Sequence, residues 1–361
     1  MEVVFGRNAS CIGYRRTRIE KQRRMKRIGN IYQQIISIDN LMAADAEARK
    51  GKAHSYGVRL HDDNRIANIF ALYDSLLTKT FRTSEYDVFK IFEPKERLIY
   101  RLPYYPDRIV HHAIMRVFEP IWGRALTHNT FSCIKGRGIE RCANYVSKVI
   151  RKHRGEKIYC LKIDITKFYP SINHDVLKAL VRKKIKDTDL LWLLDEIIDS
   201  TEGLPIGNYS SQFLANLTLC YFMHSLNEVY KVPCCEYADD IVVFGNDKSS
   251  LRQLFLNYIK PYIEDELKLK VKSNWQIFPI AENRQDKHGR GLDYVGYVFY
   301  RKQRLIRKAI KQNLCRNAAK LNKKKINEKQ YRMALAPWIG WAKHSNAKNL
   351  INKITKYEIN L

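Results

Sequence analysis

The sequence lacks the cysteine and histidine patterns of a zinc-binding or disulfide-linked protein. None of its eight cysteines stands in a Cys-x-x-Cys pair, and no histidine cluster completes a zinc ligand set. No stretch approaches the roughly 20 consecutive apolar residues that a membrane-spanning helix needs. The segment Met1–Arg7 has no long apolar core of a secretory signal. These absences predict a reduced, cytoplasmic protein that does not enter a membrane.

Acidic residues are also scarce. The chain of 361 residues has 37 Asp and Glu against 65 Lys and Arg, which gives a formal net charge of +28. A field of this sign and size favours a polyanionic partner, and nucleic acid is the first candidate. Basic residues concentrate between Arg15 and Arg27 and again after Arg301. The 22 tyrosines suit base stacking beside these cations, although the edge of a core explains any single tyrosine as well.

Hydrophobic periodicity predicts both helices and strands. Helical spacing is found near residues 28–41, 64–82, 107–114, 175–185, 190–198, 214–226 and 250–266, with Asp107 as an expected N-cap. Strands are predicted near residues 86–102 (two, around a turn at 93–96), 158–165, 235–244, 269–276 and 294–300. The basic segment after Arg301 is helical in pattern. The chain therefore reads as a mixed α/β (α+β) protein of two or three subdomains.

Two segments place acidic residues against apolar strands. The turn Tyr237–Asp240 precedes the apolar run Ile241–Phe244, so two adjacent carboxylates lie at the tip of a buried hairpin. Asp164 ends a second apolar strand, Leu161–Ile165. Buried carboxylates are costly unless a cation or a donor accompanies them. An Asp-Asp turn alone also occurs in ordinary surface loops, but the second strand can bring three carboxylates around one point.

Asp164, Asp239 and Asp240 are the residue type that binds Mg²⁺, which takes few protein carboxylates and completes its shell with water and phosphate oxygens. Two such ions about 4 Å apart stabilise the attacking and leaving oxygens of a phosphoryl displacement. The pattern therefore indicates nucleotidyl transfer, in which a primer 3′-hydroxyl attacks an α-phosphate and pyrophosphate leaves. Two Mg²⁺ ions are the expected cofactor, with Mn²⁺ as an alternative.

The motifs between about residues 85 and 305 resemble, in order, those of reverse transcriptases. They are Arg97–His112, Lys135–Gly138, Asp164–Ile172, Gly203–Asn216, Tyr237–Asp240 and Tyr294–Tyr297. The resemblance implies a right-hand polymerase with fingers, a palm of antiparallel sheet and helices, and a short helical thumb. The implied boundaries are 1–157 for the basic N-terminal segment and fingers, 158–300 for the palm and 301–361 for the basic thumb. The implied ligands are an RNA template, a DNA or RNA primer and dNTPs.

Residue roles follow from the same resemblance. Asp164, Asp239 and Asp240 are the expected catalytic carboxylates, and the metal site is expected to include Ile165 beside them. Tyr169, next to Phe168, stands where the family keeps an aromatic ring that excludes a ribose 2′-hydroxyl. The remaining expected positions are Arg97, Arg101 or Lys95 for the triphosphate, Ile206, Gly207 and Gln212 near the substrate, Lys272 near pyrophosphate, and Tyr294, Gly296 and Tyr297 as the primer grip.

The middle motif is similar to that of one subfamily. Ile206–Asn208 followed by Ser211-Gln212 resembles the reverse transcriptases of diversity-generating retroelements, as do Arg108–Ala113 and Trp341–Ala347. Such enzymes copy a template-repeat RNA with frequent errors at adenines, and their partner is a small basic accessory variability protein. A retron, group II intron-like or phage-defence enzyme is the alternative within the class. A non-catalytic RNA-binding protein on a polymerase fold is the alternative outside it.

Overall fold

The computed structural model describes residues 27–92, 96–153, 156–357 and 359. The mixture of helices and antiparallel sheets that the sequence predicts is confirmed. Lys95 and the basic residues from Arg15 to Lys26 lie outside the described residues. None of the described helices is both long and apolar enough to cross a bilayer.

The elements are numbered in chain order. The helices are α1 (Tyr32–Ile36), α2 (Ile38–Ala48), α3 (Tyr56–Asp62), α4 (Arg65–Leu77), α5 (Ile109–Trp122), α6 (Ile139–Lys152), α7 (His174–Lys184), α8 (Thr188–Ile198), α9 (Ser211–Glu228), α10 (Lys248–Leu254), α11 (Lys308–Asn322), α12 (Glu328–Lys343) and α13 (Lys348–Ile354). The strands are β1 (Asp87–Ile91), β2 (Arg97–Arg101), β3 (Tyr159–Asp164), β4 (Cys234–Tyr237), β5 (Asp240–Gly245), β6 (Gln276–Pro279), β7 (Leu292–Tyr294), β8 (Tyr297–Phe299) and β9 (Arg304–Ile306).

The chain forms two compact units, each built from two separate stretches of sequence. The first unit comprises the described part of Met1–Ala125 together with Tyr169–Lys231, and the second comprises Leu126–Phe168 and Val232–Leu361. The first is helical except for the antiparallel hairpin β1–β2. The subdomain boundaries expected at residues 157 and 300 stay a prediction.

Asp187 joins the two stretches of the first unit. Its Oδ1 accepts the Leu190 N–H at 3.2 Å and so caps α8. Its Oδ2 accepts the N–H groups of Ile31 and Tyr32 at 2.7 and 3.0 Å, at the start of α1. Burial alone raises the pKa of Asp187, but these N–H donors outweigh it and lower the pKa overall. One carboxylate therefore satisfies donors at two helix starts.

We expect Asp187→Ala to lower the free energy of unfolding by about 2–3 kcal/mol, because three N–H groups lose their acceptor. Urea unfolding followed by circular dichroism measures the change. Asp189→Ala is the matched control. The Asp189 side chain is 39% exposed and pairs with Lys79 at the surface. The control should change stability by less than about 1 kcal/mol. Equal losses in the two variants would contradict the assigned role.

The second unit centres on a four-stranded antiparallel sheet in the order β4-β5-β3-β6. The middle strands are mostly apolar, so they read as nearly continuous hydrophobic runs, and one face of β3 also carries Lys162 and Asp164. One face packs into a core that includes Cys142, Val146, Cys160, Val242 and Phe244, all fully buried. The sheet carries Asp164 and Asp240 at the ends of its two central strands.

A three-stranded meander, β7-β8-β9, leads into the C-terminal helices of the second unit. Helices α11, α12 and α13 share a small core of their own, in which Leu314, Tyr331, Leu335 and Ile351 are fully buried. The helical pattern read in this basic segment is confirmed. Asn327 starts α12 with a capping box, because its side chain and that of Gln330 exchange hydrogen bonds with each other's backbone N–H groups.

Two local expectations are wrong. Asp107 is not an N-cap: it lies inside a π-helical segment, Tyr104–Arg108, and its Oδ1 accepts the Ser84 N–H at 2.9 Å. The strand expected near 269–276 is reduced to one bridge, Ile165 to Val271, and regular pairing begins only at Gln276. Asp107 differs because a distant partner, Ser84, bonds to its carboxylate. The strand is interrupted by a local turn in which the Trp275 N–H donates to the Lys272 carbonyl at 3.4 Å.

Candidate active site

The Asp-Asp turn lies at the tip of the hairpin β4–β5. Tyr237 and Asp240 are paired, so Ala238 and Asp239 alone form the turn. Ala238 has φ of 56°, in the left-handed region that residues with a side chain adopt at a cost. Beyond the turn, the run Ile241–Phe244 is fully buried. A short strained turn on a rigid apolar strand therefore holds the two carboxylates in place.

Asp164 stands directly opposite Asp240 in the sheet. The Asp164 carbonyl accepts the Lys272 N–H at 2.9 Å, on the side of β3 that faces away from β5. Asp164 and Asp240 therefore form a pair without mutual backbone hydrogen bonds, in which antiparallel strands bring side chains closest together. The two apolar strands predicted that the three carboxylates could lie around one point, and the register sets two of them, Asp164 and Asp240, opposite each other.

Two lysines accompany the carboxylates. Lys272 Nζ lies 2.6 Å from Asp164 Oδ1, and Lys162 Nζ lies 3.9 Å from Asp240 Oδ1. Lys162 also donates to the Asp293 carbonyl at 2.9 Å, which fixes its position. Because Lys162 precedes Asp164 by two residues on β3, both side chains project from the same face.

Burial raises the pKa of Asp239 to about 6, and the charges of Asp164 and Asp240 add to this effect. Burial likewise raises the pKa of Asp240, against the opposing influence of Lys162. Three acidic groups therefore repel one another in a partly desolvated place, although Lys272 and Lys162 offset some of that repulsion. Such a site favours an added cation, and the oxygen donors suit Mg²⁺ in particular.

The donors fit a metal ion in chemistry but are not assembled into a ligand set. Across the described residues, no three His, Cys, Asp or Glu side chains are grouped closely enough to hold a metal ion. Asp164 is engaged by Lys272 instead. Ile165 is the fourth expected ligand, through its backbone carbonyl. Its neighbours Asp164 and Thr166 form backbone hydrogen bonds with Lys272 and Lys270. Because backbone groups alternate in direction along a strand, the Ile165 carbonyl points to the other side, toward β5.

The three expected primer-grip residues serve as packing residues in the second unit. Tyr294 is fully buried, and its hydroxyl donates to the Asp240 carbonyl at 2.9 Å, so it supports the carboxylate hairpin. Tyr297 is 2% exposed and packs against Trp341. Gly296 has φ of 83°, and a Cβ there would lie 2.3 Å from the Trp341 ring. The primer-grip role expected of Tyr294, Gly296 and Tyr297 stays a prediction.

The remaining palm candidates divide between the units. Phe168, 3% exposed, belongs to the second unit, whereas Tyr169 is the first residue of the first unit's second stretch. The Tyr169 carbonyl accepts the Leu204 N–H at 2.8 Å. Gly203 approaches this segment so closely that a Cβ would lie 2.4 Å from the Pro170 oxygen. The Tyr169 ring is half-buried.

The expected substrate residues of the first unit surround the hairpin β1–β2. The Tyr100 N–H donates to the Ile206 carbonyl at 2.9 Å, which joins β2 to the Ile206–Gly207 loop. Arg97 is exposed on β2, and Arg101 is ion-paired with Asp87, its partner across the hairpin. Gln212 is exposed on the first turn of α9. Arg97 is therefore the freer of the two described arginines to meet a triphosphate.

Sequence reasoning missed three cations that the structure places near these features. Lys162 was detectable, because a lysine two residues before Asp164 on one strand must share its face. Lys52 and Arg108 line a cavity with Gly207 and Tyr209 although they are far apart in sequence. No local pattern links residue 52 to residue 209, so only the fold reveals this group.

Comparison with known proteins identifies the family. Residues 93–276, just over half of the chain, match the model of the family described as reverse transcriptase (RNA-dependent DNA polymerase). Protein YkfC of Escherichia coli (strain K12) is 21% identical; the match covers 56% of this chain and 63% of YkfC. A solved structure of apo telomerase from Candida tropicalis is similar with a TM-score of 0.47 and 11% identity, covering 77% of this chain and 60% of that chain. The chain thus spans less than two thirds of each of these relatives.

The chain belongs to the reverse transcriptase family. The family match contains Asp164 and the turn with Asp239 and Asp240. It ends at residue 276, so the meander β7-β9 and the C-terminal helices lie beyond it.

Proposed function

We propose that this protein is an RNA-directed DNA polymerase whose catalytic carboxylates are Asp164, Asp239 and Asp240. The observation that carries the proposal is the pairing of Asp164 with Asp240 across β3 and β5, beside the turn that holds Asp239. Family membership supports the reaction. The arrangement supports the site, because carboxylates on neighbouring strands could bind the divalent cations that neutralise negative charge during phosphoryl transfer.

The three carboxylates and the Ile165 carbonyl would hold two Mg²⁺ ions. Bound there, the ions would neutralise charge on the phosphate oxygens and favour loss of the primer 3′-hydroxyl proton. Asp164 would exchange the Lys272 ammonium for the metal, which releases Lys272 for the leaving pyrophosphate. Lys162 stays beside Asp240, and Tyr294 keeps the strand beneath it in place. Substrate positioning would fall to Arg97, Lys95 and Tyr169.

The test is extension of a DNA primer on an RNA template with Mg²⁺, with the same template in DNA as a comparison. We expect extension that needs all four dNTPs and stops in EDTA. Binding of the RNA without extension, under Mg²⁺ or Mn²⁺, would favour the alternative of an RNA-binding protein on a polymerase fold.

We further propose that the enzyme is of the diversity-generating kind, with a template-repeat RNA as its template and a small basic accessory protein as its partner. The support is the motif Ile206–Asn208 with Ser211-Gln212. Retron, group II intron-like and phage-defence enzymes are the alternatives. A near-duplicate repeat pair in the flanking DNA, differing mainly at adenines, would distinguish this kind of enzyme from the others.

Ile206→Gln should lower misincorporation opposite template adenine by roughly two- to tenfold, because glutamine adds a hydrogen bond that isoleucine cannot make. Ile206 is half-buried at the β2 junction, so the longer side chain has room on its exposed side. Sequencing of cDNA copied from a defined RNA measures the change. Ile206→Leu is the control of similar volume and should leave the error spectrum unaltered. Unchanged errors in the glutamine variant would rule out this role for residue 206.

A further inference from the structure

The strand β4, which leads into the Asp-Asp turn, lies at an edge of its sheet, where β5 pairs with one side of it. A short segment, residues 129–131, lies along the other side, and we call it the edge segment. The Glu236 N–H donates to the Asn129 carbonyl at 3.0 Å, and the Phe131 N–H donates to the Glu236 carbonyl at 3.1 Å. Both of these backbone hydrogen bonds therefore join the edge segment to β4 at one residue, Glu236.

The edge segment is held in place by hydrogen bonds of its own. Asn129 and Thr130 are fully buried. The Asn129 side chain donates to the Cys234 carbonyl at 2.5 Å, which adds a second link to β4. The Arg137 guanidinium donates to the Thr130 carbonyl at 2.8 Å, and the hydroxyls of Thr127 and Thr130 lie 2.9 Å apart. All of these residues belong to the second unit, so the edge segment can serve as a fixed support for β4.

The Glu236 side chain also contacts this support. It is fully buried, and its Oε2 lies 3.4 Å from the Thr130 hydroxyl. Its Oε1 has no hydrogen-bond partner among the described residues. An apolar side chain of similar size would fill the same space without the cost of burying a carboxyl group. A residue this costly calls for a role beyond packing.

The link at Glu236 lies next to the carboxylate turn. The following residue of the chain pairs with Asp240 and closes the turn that contains Ala238 and Asp239. Asp164 and Asp240 lie on the two central strands, each of which has a neighbouring strand on both sides. Asp239 instead follows the edge strand, and the left-handed backbone of Ala238 persists only where the surrounding structure enforces it. A shift of β4 would therefore move Asp239 relative to the other two carboxylates.

We propose that Glu236 is a positioning residue, which fixes Asp239 beside Asp164 and Asp240 by holding β4 against Thr130 of the edge segment. The proposal rests on the proposed function in taking the three carboxylates as metal ligands. Small displacements matter because a metal site needs its ligands within about 0.5 Å of the productive geometry. Removal of a group that orients ligands without contacting the metal typically lowers metal affinity by about 10- to 100-fold.

The experiment measures Mn²⁺ binding to the full-length protein without nucleic acid, from the electron paramagnetic resonance signal of free Mn²⁺. Asp239→Ala identifies the part of the binding that belongs to the carboxylate site. We expect Glu236→Ala to weaken that binding by about tenfold. Thr130→Val removes the hydroxyl on the other side of the contact and should cause a smaller loss. The two changes together should be no worse than Glu236→Ala alone, because they remove the same contact.

Two variants separate positioning from general stability. Glu236→Gln keeps the shape and a polar group beside Thr130, so it should bind Mn²⁺ as the unmodified protein does. Leu335→Ala truncates a fully buried leucine of the C-terminal helices in the same unit. It should lower the urea midpoint of unfolding at least as much as Glu236→Ala does, without a change in Mn²⁺ affinity. In single-turnover primer extension, the Mg²⁺ concentration for half-maximal rate should rise about tenfold in Glu236→Ala and stay unaltered in Leu335→Ala.

Three results would overturn the proposal. Normal Mn²⁺ affinity in Glu236→Ala would show that the contact does not position a ligand. Equal losses of affinity in Glu236→Ala and Leu335→Ala would show an effect of stability alone. Unaltered Mn²⁺ binding in Asp239→Ala would leave no metal site for Glu236 to support. The polymerase proposal fails separately: a protein that binds Mn²⁺ through Asp239 and loses affinity in Glu236→Ala, yet extends no primer, keeps the positioning role without the activity.

Discussion

Asp239→Ala is expected to reduce primer extension by about a thousandfold or more, which corresponds to about 4 kcal/mol of transition-state stabilisation. Asp239 is half-buried at the tip of the hairpin, next to the facing pair Asp164 and Asp240. Without the Asp239 carboxylate, the Mg²⁺ ion that would supply positive charge at the reacting phosphate loses a ligand. Single-turnover extension on an RNA template, with Mg²⁺ varied, measures the loss in rate separately from the loss in metal affinity.

The same variant should be more stable than the unmodified protein when metal is absent. The pKa of Asp239 is raised to about 6, so the folded protein holds this proton more tightly than the unfolded chain does. The penalty for the charged form accordingly grows as the pH rises from about 4 to about 6, and it is complete above that range. Asp239→Ala removes the penalty, so its stability in EDTA should exceed that of the parent at pH 8.

Asp265→Ala, which removes an exposed carboxylate from the same unit, is the control for both measurements and should leave the rate unchanged. Extension at the full rate in Asp239→Ala would reject the proposed metal ligand. A large loss of stability in that variant would instead indicate that Asp239 has a structural role.

The second large effect concerns Glu236, which is fully buried on β4. Its Oε2 lies 3.4 Å from the Thr130 hydroxyl, and its Oε1 has no hydrogen-bond partner. Burial raises the pKa of Glu236 to about 8, against the smaller opposing influences of Thr130 and Arg137. The folded protein therefore keeps this carboxyl protonated at neutral pH, whereas the unfolded chain ionises it.

Glu236→Gln should stabilise the protein by roughly 3–5 kcal/mol at pH 9 and by much less at pH 4–5. A raised carboxyl pKa makes the folded state most favourable below the unfolded pKa, and that advantage is lost as the pH rises toward about 8. Glutamine has nearly the same shape as glutamic acid and cannot ionise, so the variant does not lose stability as the pH rises. Urea unfolding at several pH values measures the difference. Glu156→Gln, at an exposed position, should give no pH-dependent gain, and parallel pH profiles of Glu236→Gln and the parent would contradict the prediction.

The carboxylate hairpin was predictable because its determinants are local. Apolar runs before Asp164 and after Asp240 indicate buried strands, and a two-residue turn leaves little choice of register. Alternation along β3 then places Lys162 beside the same carboxylates. The mixed fold and the helical C-terminal segment follow from periodicity in the same way.

Features that depend on distant partners were not predictable. Asp107 accepts a hydrogen bond from Ser84 rather than capping its own helix, and Tyr294 faces the Asp240 carbonyl from beneath the sheet. Motif resemblance gave Tyr294 a place in the site but carried no information on which side of the backbone its ring lies. The lysine that pairs with Asp164 comes from residue 272, and only the bridge from Ile165 to Val271 brings it there.

The division of each unit into two stretches has a consequence for biosynthesis. The Ile28 N–H donates to the Lys184 carbonyl at 2.7 Å, and the Lys186 N–H donates back to the Ile28 carbonyl at 2.8 Å. In a chain emerging from the ribosome, these backbone groups of Ile28, and the N–H groups of Ile31 and Tyr32 that Asp187 accepts, therefore lack their partners until this second stretch has been made. Non-local pairing of this kind slows folding. A fragment that stops at Ala125 lacks the whole second stretch of its unit, Tyr169–Lys231, and with it the partners of these hydrogen bonds.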